Sequence, residues 1–416
     1  MSSTKKISII GAGQSGAFAA NEIRKHDKES TITIFSDENY LPYERPPLSK
    51  DSIIGKKKYE DLSFFSNDFY NSENIQIENK AVAKVDFKTK SILTIDSKTQ
   101  TYDSLLITTG SKNKKLNFGN DNEDLNNNIL YLRDIEDSKK IKKAIDSFNS
   151  FVIIGGGFIG LEIASSIARL GKVVNVIEMG SQLMSRIIPK KIASIVLDYH
   201  KKNGNSIFLN SNIISARKLN TGYKIELHNN NIIEADFIIA GIGSFANVDL
   251  FENTSLKLEN GILTDEYCRT SERDVFAAGD VANFFHPIYD KQIRLESYQH
   301  AQNHGIVAAK NILGHKIPYK KIPWMWSDQF DLNLQLVGVC DDFDQEIQRG
   351  NNVKEGIINF FLKNKKIMGA CGIGLAGKVG RDIRLAGKIA ESNIEVEMEE
   401  LQNIEFKLNK LLKNNS

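Results

Sequence analysis

Cysteine is scarce in this chain, and its few cysteines lie far apart. The 416 residues contain Cys268, Cys340 and Cys371, with no C-x-x-C motif. That absence excludes a redox-active dithiol of this spacing and a zinc knuckle. An odd, sparse set fits a reducing compartment better than a disulfide scaffold, so we expect a cytoplasmic protein. His300 and His304 lie four residues apart but lack the glutamate of an H-E-x-x-H motif, so no metal site is expected.

The chain also lacks an excess of positively or of negatively charged side chains. Lysine and arginine number 54 and aspartate and glutamate 52, a formal net charge of +2, which argues against wholesale nucleic-acid binding. Residues 7–20 resemble a secretory signal, and residues 151–170 nearly reach the length of a membrane span. Both are better explained as the strand, turn and helix that begin a nucleotide-binding fold, and Glu162 inside the second would be costly in lipid. We therefore expect no membrane segment.

Two G-x-G-x-x-G motifs are what the chain does contain. Each follows an apolar run fit for a buried parallel strand, at residues 7–10 and 151–154, and each opens a helical pattern, at residues 17–24 and 161–170. Glycines at these positions let the backbone turn tightly, approach a pyrophosphate and direct N–H groups at it. Two such turns predict two dinucleotides, a flavin and the nicotinamide that reduces it. The glycines are Gly11, Gly13 and Gly16 in the first turn and Gly155, Gly157 and Gly160 in the second.

Acidic residues follow the second predicted strand of each unit, where a ribose-binding acid is expected. Asp37 and Glu38 follow residues 31–35, and either suits the adenosine ribose of FAD. Glu178 follows residues 173–177 and suits the ribose of NADH. A carboxylate there accepts a hydrogen bond from the 2′-hydroxyl and repels a 2′-phosphate, so the sequence predicts a preference for NADH. Arg186, eight residues further on, is within reach of the adenosine part of the nucleotide, so the use of NADPH remains an alternative.

The remaining pattern predicts the strands around these units. Alternation at residues 75–95 and 207–239 predicts antiparallel strands, while residues 102–108 and 274–280 predict strands that lead into turns. Residues 111–128 are rich in lysine and then, from Asn120 to Asn128, in asparagine and aspartate, which predicts a linker or an exposed loop. Strand-like runs at 332–340 and 356–371 and a charged helical pattern from about residue 381 form a third region.

The predicted fold is therefore α/β, with two interleaved Rossmann-like dinucleotide-binding domains and a C-terminal α+β domain. The FAD-binding domain is predicted at residues 1–112 and 241–320. The NAD-binding domain is predicted at residues 113–240, and the C-terminal domain at residues 321–416.

Several strings between the glycine turns make the chain resemble the flavoprotein ferredoxin reductases that serve oxygenases. The most discriminating are L-P-Y-E-R-P-P-L-S-K at residues 41–50 and P-W-M-W-S-D-Q at residues 323–329. Y-L-R at 131–133, F-I-G-L-E at 158–162, A-A-G-D-V at 277–281 and R-L-E-S at 294–297 agree with them. The resemblance covers nearly the whole chain. One departure is Ala246, which replaces a proline usual in the family and would loosen a turn beside the flavin.

The resemblance implies roles for residues near the flavin. It places Lys50 beside the isoalloxazine ring, paired with Glu162, where a cation would favour the anionic reduced flavin. It has Asp280 accept a hydrogen bond from a ribityl hydroxyl and Arg133 contact FAD. The helix that begins near Tyr298 would steady negative charge on the reduced flavin.

The resemblance also implies where electrons leave. It places Trp324 and Trp326 near the flavin or at the face where the ferredoxin docks, and one of them would shape the exit surface. The predicted cofactor-binding set is completed by Ser15, Val82, Phe158, Ile159, Gly243 and Glu296.

The function implied is a cytoplasmic FAD-dependent NADH:ferredoxin oxidoreductase. NADH would deliver a hydride to FAD, and electrons would pass one at a time to an acidic two-iron two-sulfur ferredoxin serving an oxygenase. A basic run of Lys378, Arg381, Arg384 and Lys388 would suit an acidic partner. We expect no nucleic-acid or membrane partner, and a monomer or weak dimer.

Two alternatives remain open from the sequence. One is an FAD-dependent NADH dehydrogenase or oxidase with a quinone, oxygen or another acceptor, and the other is an NADH-sensing flavoprotein. A cysteine-dependent flavoprotein is disfavoured, because the loop at residues 37–50 contains no cysteine.

Overall fold

The computed structural model describes residues 4–119 and 122–413. Contacts between residues divide the chain into two compact units, each assembled from segments that are separate in the sequence. The first unit comprises Met1–Glu44, Glu60–Lys112 and Ser244–Pro323, and the second comprises Arg45–Tyr59, Asn113–Gly243 and Trp324–Ser416. The division into three domains at the boundaries given above stays a prediction.

The secondary structure of the described residues is numbered in chain order. Helices α1 to α10 are Gln14–His26, Asn67–Ser72, Glu123–Asn128, Ile135–Ser147, Phe158–Arg169, Lys190–Lys202, Tyr298–Ile312, Gly380–Ser392, Met398–Gln402 and Asn409–Lys413. Strands β1 to β12 are Lys6–Ile10, Thr31–Phe35, Ile75–Glu78, Val82–Asp86, Ser91–Thr94, Thr99–Thr101, Ser104–Ile107, Ser111–Asn113, Ser150–Ile154, Val173–Ile177, Ser206–Phe208 and Ile213–Lys218. Strands β13 to β25 are Tyr223–Leu227, Ile232–Ala235, Phe237–Ala240, Ser244–Ala246, Ile262–Thr264, Val275–Ala277, Ala282–His286, Lys291–Arg294, Trp324–Gln329, Leu332–Gly338, Gln345–Arg349, Ile357–Lys363 and Lys366–Leu375.

The first unit is built on a parallel sheet with the strand order β18-β7-β1-β2-β3. Strands β1, β2, β7 and β18 are almost wholly buried, as a sheet covered on both faces requires. Helices α1 and α7 pack against each other, and their alanines meet the isoleucines of β1 and β2 in the core. Because β1 leads through the first glycine turn into α1, the turn lies at the carboxyl edge of this sheet, where α/β folds bind ligands.

The second unit repeats this arrangement and adds an antiparallel domain. Its parallel sheet has the order β11-β10-β9-β15, and β9 leads through the second glycine turn into α5. Strands β12, β13 and β14 form an antiparallel meander. A five-stranded antiparallel sheet, β21-β22-β25-β24-β23, carries α8 packed on β22 and β25.

Four segments differ from what the sequence predicts. The strands predicted as antiparallel at 75–95 and 207–239 include β3, β11 and β15, which pair in parallel with β2, β10 and β9. Strand β3 lies at a sheet edge with one face partly exposed, and this produces the alternation that antiparallel strands also show. The run at 356–371 is two strands of a hairpin, and Asn364 and Lys365 both take positive φ in its turn.

The segment at 111–128, predicted as a linker or loop, contains β8 and the helix α3. Helix α3 buries Leu125 among the apolar residues beside the β12–β14 meander, and this packing stabilises a helix that its asparagines do not favour. Asn120 and Asp121 of that prediction lie outside the described residues, as do the last three residues of the chain.

Within residues 4–119 and 122–413, no helix is long and apolar enough to cross a membrane. In the same ranges, no group of three or more histidine, cysteine, aspartate or glutamate side chains is placed to hold a metal ion.

Candidate functional site

The first glycine turn is closed by the protein on one side and open on the other. Gly11 has φ +112, and a Cβ there would lie 2.2 Å from the carbonyl oxygen of Thr108. A Cβ at Gly16 would lie 2.2 Å from the carbonyl oxygen of Gly11. A Cβ at Gly13, in contrast, would meet no described atom within 4 Å. Chain packing therefore requires Gly11 and Gly16, while the space at Gly13 is free for a ligand.

The second glycine turn has the same construction. Gly155 has φ +106, and a Cβ there would lie 2.4 Å from the carbonyl oxygen of Gly241. A Cβ at Gly160 would lie 2.3 Å from the carbonyl oxygen of Gly155, whereas at Gly157 the nearest atom is 3.9 Å away. The middle motif glycine again borders open space.

The helices that follow the two turns begin in a way that suits an anion. Within the described residues, neither α1 nor α5 has a side chain capping its N-terminus or an acid in its first turn. By comparison, Asp134 caps α4 and Ser297 caps α7. The first-turn N–H groups of α1 and α5 can therefore donate to a pyrophosphate, which the open space beside each turn accommodates. The residues present fit a dinucleotide at each turn.

Glu178 is fixed beside the second glycine turn. Its Oε2 accepts a hydrogen bond from the N–H of Gly156 at 2.7 Å, and its Oε1 accepts one from the N–H of Gly180 at 2.6 Å. A Cβ at Gly156 would lie 2.6 Å from Leu183 Cδ2 and 3.1 Å from Glu178 Oε2. The carboxylate is therefore held in one position at the carboxyl end of β10, with lone pairs left for further donors.

In the first unit, the residue that follows the second strand of the sheet is a serine, not a glutamate. Gly11 N–H donates to the carbonyl of Phe35, as Gly155 N–H donates to that of Ile177, so Ser36 matches Glu178 in position. Ser36 Oγ accepts from the N–H of Glu38 at 3.1 Å. The Glu38 carboxylate accepts from the hydroxyl of the buried Tyr43 at 2.5 Å, while Asp37 is exposed. The geometry leaves both acids as candidates for a ribose.

The side chain of Arg186 lies beside Gly243, and Gly243 belongs to the turn that follows β15. Its guanidinium is 3.3 Å from the position of a Cβ at Gly243, which has φ +100. Phe158 and Ile159 form the first turn of α5, and Ile159 is 45 % exposed. Arg186 thus lies near the carboxyl end of β15, on the opposite side of β9 from Glu178 and β10.

Asp280 and Glu296 belong to one hydrogen-bonded group in the first unit. Arg294 Nη1 donates to the carbonyl oxygen of Asp280 at 3.1 Å and to Glu296 Oε1 at 2.5 Å. Ser111 Oγ donates to Asp280 Oδ2 at 3.3 Å, and Ser244 Oγ donates to Glu296 Oε2 at 2.5 Å. Arg294 therefore fixes the turn that carries Asp280.

His304 hydrogen-bonds to the backbone of the turn that carries Asp280. The sequence did not identify it as a residue of the flavin site. The N–H of Gly279, which has φ +78, donates to His304 Nδ1 at 3.2 Å. Burial lowers the pKa of His304 well below its ordinary value, so the ring is neutral and its Nδ1 stays an acceptor. The sequence offered His304 only as a metal ligand, because nothing local indicates that α7 places it against Gly279.

Other residues of the predicted FAD set lie in the first unit. Tyr298 begins α7, its hydroxyl is hydrogen-bonded with Gln14 and Glu44, and burial raises its pKa. Ser15 lies in the first turn of α1 and is buried, and its Oγ has no hydrogen-bond partner in the described residues. Val82 begins β4.

Lys50 and Glu162 form an ion pair inside the second unit. Lys50 Nζ lies 3.1 Å from Glu162 Oε1, and Glu162 is 4 % exposed. Ser49 Oγ donates to Glu162 Oε2 at 2.5 Å, and Ser327 Oγ donates to Oε1 at 2.7 Å. Burial raises the pKa of Glu162, while Lys50 and the two hydroxyls act in the opposite direction. The predicted pairing is present, and the two serines are partners that the sequence did not reveal.

Trp324 and Trp326 are stacked on each other, with ring centroids 5.0 Å apart and planes at 22°. Both lie on one face of the edge strand β21 and both are half-buried. Lys50 Nζ lies 5.6 Å from the Trp326 ring centroid and 3.6 Å from Asp328 Oδ2. The structure thus brings Lys50, Glu162 and the tryptophan pair together in one unit.

A chain of hydrogen bonds fixes both indoles. Trp326 Nε1 donates to Asp328 Oδ2 at 3.1 Å, and Asn333 Nδ2 donates to Asp328 Oδ1 at 2.7 Å. Gln335 Nε2 donates to Asn333 Oδ1 at 2.7 Å, and Gln335 Oε1 accepts from Trp324 Nε1 at 3.2 Å. Asn333 and Gln335 come from the neighbouring strand β22, so only strand pairing could reveal them.

Arg133 lies in the second unit, in the bend before α4. Its carbonyl oxygen accepts from Arg45 Nη1 at 2.6 Å, and its N–H donates to Asp137 Oδ2 at 3.0 Å. These bonds hold the backbone of Arg133, and its contact with FAD stays a prediction.

Two family models match the chain. The model described as pyridine nucleotide-disulphide oxidoreductase matches residues 5–305, and the model described as reductase C-terminal matches residues 324–412. The chain belongs to the pyridine nucleotide-disulphide oxidoreductase family. The oxidoreductase therefore uses a flavin and NADH, which are the two nucleotides that the glycine turns predict.

The oxidoreductase is similar in sequence to reductases of oxygenase systems. It is 32 % identical to the 3-phenylpropionate/cinnamic acid dioxygenase ferredoxin–NAD(+) reductase component of Photorhabdus laumondii, over 93 % of this chain and 96 % of that protein. It is 30 % identical to the rubredoxin–NAD(+) reductase of Ectopseudomonas oleovorans, over 92 % of this chain and 98 % of that protein.

Its structure is similar to that of putidaredoxin reductase in a covalent complex with putidaredoxin, with a TM-score of 0.92, 26 % identity and coverage of 99 % of this chain and 98 % of that one. These comparisons confirm the resemblance to oxygenase-coupled ferredoxin reductases and the α/β fold class. They also confirm the class of enzyme, which is a flavoprotein ferredoxin reductase.

Proposed function

We propose that this oxidoreductase binds FAD and uses NADH to reduce a two-iron two-sulfur ferredoxin that serves an oxygenase. The observation that carries the proposal is the pair of glycine turns, one in each unit, each with open space beside its middle motif glycine. A dinucleotide has a pyrophosphate to fill such a space, which favours FAD over a flavin mononucleotide at the first turn.

The first unit would bind FAD through its own backbone and acids. The pyrophosphate would lie beside Gly13 and accept hydrogen bonds from the first-turn N–H groups of α1. Asp37 or Glu38 would accept from the adenosine ribose, and Asp280, fixed through Arg294, would accept from a ribityl hydroxyl. When bound, the flavin supplies the step from a two-electron donor to a one-electron acceptor. Lys50, Glu162 and Arg133 beside the flavin remain predictions of the resemblance.

The second unit would bind NADH through Glu178 and the turn beside it. The carboxylate already accepts from two N–H groups, so it cannot swing away from an incoming 2′-phosphate without leaving both of them unpaired. A fixed anion there favours the 2′-hydroxyl of NADH. Arg186 lies beside Gly243 rather than at the end of β10, and this supports NADH over NADPH.

The electron acceptor is inferred from the relatives. One is the reductase component of a dioxygenase system whose name specifies a ferredoxin, and another is joined to putidaredoxin in its structure. A second candidate acceptor is rubredoxin, because a rubredoxin reductase is 30 % identical over 92 % of the chain. A cytoplasmic location and a monomeric or weakly dimeric state stay predictions.

The acceptor is tested with purified, flavin-containing protein. The flavin released on denaturation is separated by chromatography and identified as FAD or FMN. Reduction of putidaredoxin, rubredoxin and the uncharged quinone menadione is then followed with NADH as donor. Fast reduction of putidaredoxin supports the proposal, and reduction of rubredoxin alone supports the second candidate. Menadione turnover with neither protein reduced would reject both and leave the dehydrogenase alternative.

Glu178→Gln tests the nucleotide assignment. The variant loses the negative charge and turns an amide N–H₂ toward a backbone N–H, so the KM for NADH should rise and that for NADPH should fall. A charge-assisted hydrogen bond contributes about 1.5–3 kcal/mol, which predicts about a 13- to 160-fold loss of preference for NADH. Glu38→Gln in the first unit is the matched control and should leave the preference unchanged. An unaltered preference in Glu178→Gln would contradict the assignment.

A further inference from the structure

Four buried polar side chains of the second unit form a hydrogen-bonded network that ends on Glu162. Asn205 Nδ2 donates to His200 Nδ1 at 2.8 Å, and His200 Nε2 lies 3.0 Å from Gln329 Oε1. Gln329 Nε2 donates to Ser327 Oγ at 3.1 Å, and Ser327 Oγ donates to Glu162 Oε1 at 2.7 Å. None of the four is more than 3 % exposed, and we call Asn205, His200, Gln329 and Ser327 the buried network.

The Glu162 carboxylate dictates the direction of every bond in the buried network. A carboxylate only accepts, so Ser327 directs its single hydrogen at Glu162 and must accept from Gln329. Gln329 therefore presents its N–H₂ to Ser327 and its Oε1 to His200, whose proton must lie on Nε2. His200 Nδ1 is then an acceptor, and it requires the N–H₂ of Asn205.

The far end of the buried network shows that this direction has a cost. Asn205 Oδ1 is buried and has no hydrogen-bond partner in the described residues. An unpaired buried oxygen is unfavourable. The opposite direction would pair this oxygen with a hydrogen on His200 Nδ1, but it would also require a proton on Glu162. The observed arrangement is therefore the one that fits an ionised Glu162.

The charge of Glu162 is balanced by Lys50 and by hydroxyl donors. Lys50 Nζ lies 3.1 Å from Glu162 Oε1, and Asp328 on β21 lies 3.6 Å from the same Nζ. The described strands β9 and β10, which also contact α5, contain only uncharged residues, and on α5 itself Arg169 lies at the far end. Because Asp328 also attracts Lys50, the hydroxyl donors supply part of the stabilisation of the carboxylate.

His200 stays neutral in the buried network. Burial lowers its pKa to about 4, and the side chain of Gln329 acts in the opposite direction. The side chains that contact its ring, those of Asn205, Gln329 and Phe330, are uncharged. Near neutral pH the ring therefore keeps the form that the network requires. Consecutive hydrogen bonds polarise one another in a low-dielectric interior, so the donor at His200 strengthens the bond from Ser327 to Glu162.

We propose that His200 is a positioning residue that acts through Gln329 and Ser327 to keep Glu162 ionised beside Lys50. The inference rests on the proposed function, because Glu162 lies in the second turn of α5, the helix whose first turn would donate to the pyrophosphate of NADH. Phe158, which begins α5, precedes Glu162 by about 6 Å along the helix axis. A proton gained by Glu162 leaves Lys50 without its counter-charge near that pyrophosphate. The buried network therefore sets the pH at which the KM for NADH changes.

Infrared titration of Ser327→Ala and His200→Leu, as purified flavin-containing proteins, tests this inference. A protonated carboxyl group has a carbonyl stretch separate from that of carboxylates, and its absence in Glu162→Gln identifies the Glu162 band. We expect the midpoint of this band to rise by about one pH unit in Ser327→Ala, which removes the donor. In His200→Leu it should rise by about half a unit, because Gln329 can then turn its Oε1 toward Ser327 and compete for its hydrogen.

His200→Gln is the matched control, because its Nε2 can replace that of the histidine as the donor to Gln329. It should leave the infrared midpoint unchanged. His200→Asn, whose amide is too short to reach Gln329, replaces His200→Leu if that variant does not fold. An unmoved midpoint in Ser327→Ala or in His200→Leu, or equal displacements in His200→Leu and His200→Gln, would overturn the inference.

The KM for NADH, measured from bleaching of the flavin across the same pH range, is the second readout. It should fall as Glu162 gains a proton, because a positive charge near the pyrophosphate favours binding. In Ser327→Ala the fall should move to higher pH together with the infrared midpoint, and a KM profile that stays fixed while the midpoint moves would overturn the inference. If NADH does not bleach the flavin of the unaltered protein, the proposed function has failed, and the infrared midpoints alone decide whether His200 acts on Glu162.

Discussion

Glu162→Gln isolates the energetic role of the buried ion pair with Lys50. The substitution keeps the volume of the side chain, so it opens no cavity and removes only the charge. In the unaltered protein, the carboxylate accepts from Lys50, Ser49 and Ser327 while being 4 % exposed. In the variant, the amide can still accept from Ser327, and its N–H₂ can donate to Ser49 Oγ, since a serine hydroxyl accepts as well as donates. What is lost is the counter-charge of Lys50.

The loss in free energy of unfolding depends on how much negative charge remains near Lys50 in the variant. Removing one partner of a buried ion pair typically costs about 3–5 kcal/mol, because the other charge stays buried. Asp328 lies 3.6 Å from Lys50 Nζ, but its side chain is 46 % exposed, so solvent screens its attraction. We therefore expect a loss near the lower end, about 3 kcal/mol.

Thermal unfolding followed by far-ultraviolet circular dichroism measures this loss. For a folding unit of 150–250 residues, 1 kcal/mol corresponds to a change in Tm of about 2–4 °C, so Glu162→Gln should lower the Tm by about 6–12 °C. Glu136→Gln is the matched control, because its partner Lys139 lies 3.1 Å away on the surface. An exposed pair contributes less than about 1 kcal/mol, so the control should lower the Tm by less than about 4 °C.

The double variant Lys50→Met/Glu162→Gln completes the test. It removes both charges, and a buried ion pair replaced by neutral groups is often close to neutral in stability. We expect the double variant to recover at least half of the loss in Tm. A single variant within about 2 °C of the unaltered protein, or a double variant no more stable than Glu162→Gln, would refute the reasoning.

Two further predictions concern acid stability and the first glycine turn. Burial lowers the pKa of His200 to about 4 and that of His300 to about 3. The unfolded forms bind protons below about pH 6.5, so lowering the pH from 7 to 5 should destabilise the fold by about 2 kcal/mol per histidine. Urea midpoints at the two pH values measure this loss, and an undiminished difference in His200→Gln would contradict it. Gly13→Ala should fold but purify with less flavin, because its Cβ enters the space for the pyrophosphate, whereas Gly16→Ala, with a Cβ 2.2 Å from Gly11 O, should not fold. Circular dichroism and flavin absorbance per protein distinguish these outcomes, and full flavin content in Gly13→Ala would count against the site.

The sequence alone determined the units that bind nucleotides. The strands Thr31–Phe35 and Val173–Ile177 match the predicted residues, and both helices after the glycine turns form as expected. These features are local, since an apolar run, a glycine turn and a helical pattern follow one another within about 30 residues. The positive φ of Gly11 and Gly155 is a property of the turn itself. The carbonyl oxygens that crowd these two glycines belong to Thr108 and Gly241, which are remote in sequence and which only the folded chain brings close.

Only the tertiary structure decided which elements are neighbours. The strand β3 alternates like an antiparallel strand and yet joins a parallel sheet, because alternation reports one exposed face and not the direction of the partner strand. The helix α3 forms in a segment predicted as a loop, since burial of Leu125 outweighs the weak helix propensity of its asparagines.

The hydrogen-bond and ion-pair partners of the functional side chains could likewise not be predicted from the sequence. The resemblance indicated the Lys50–Glu162 pair, but Ser327 comes from a strand far along the chain, and Gln335, which orients Trp324, comes from another. The positive charge of α8 is readable from its residues, whereas the inward turn of Asp382 toward Arg349 is not. Hydrophobic periodicity specifies which side of an element is buried, but the polar partners of a buried side chain depend on contacts between residues remote in sequence, which only the folded chain brings together.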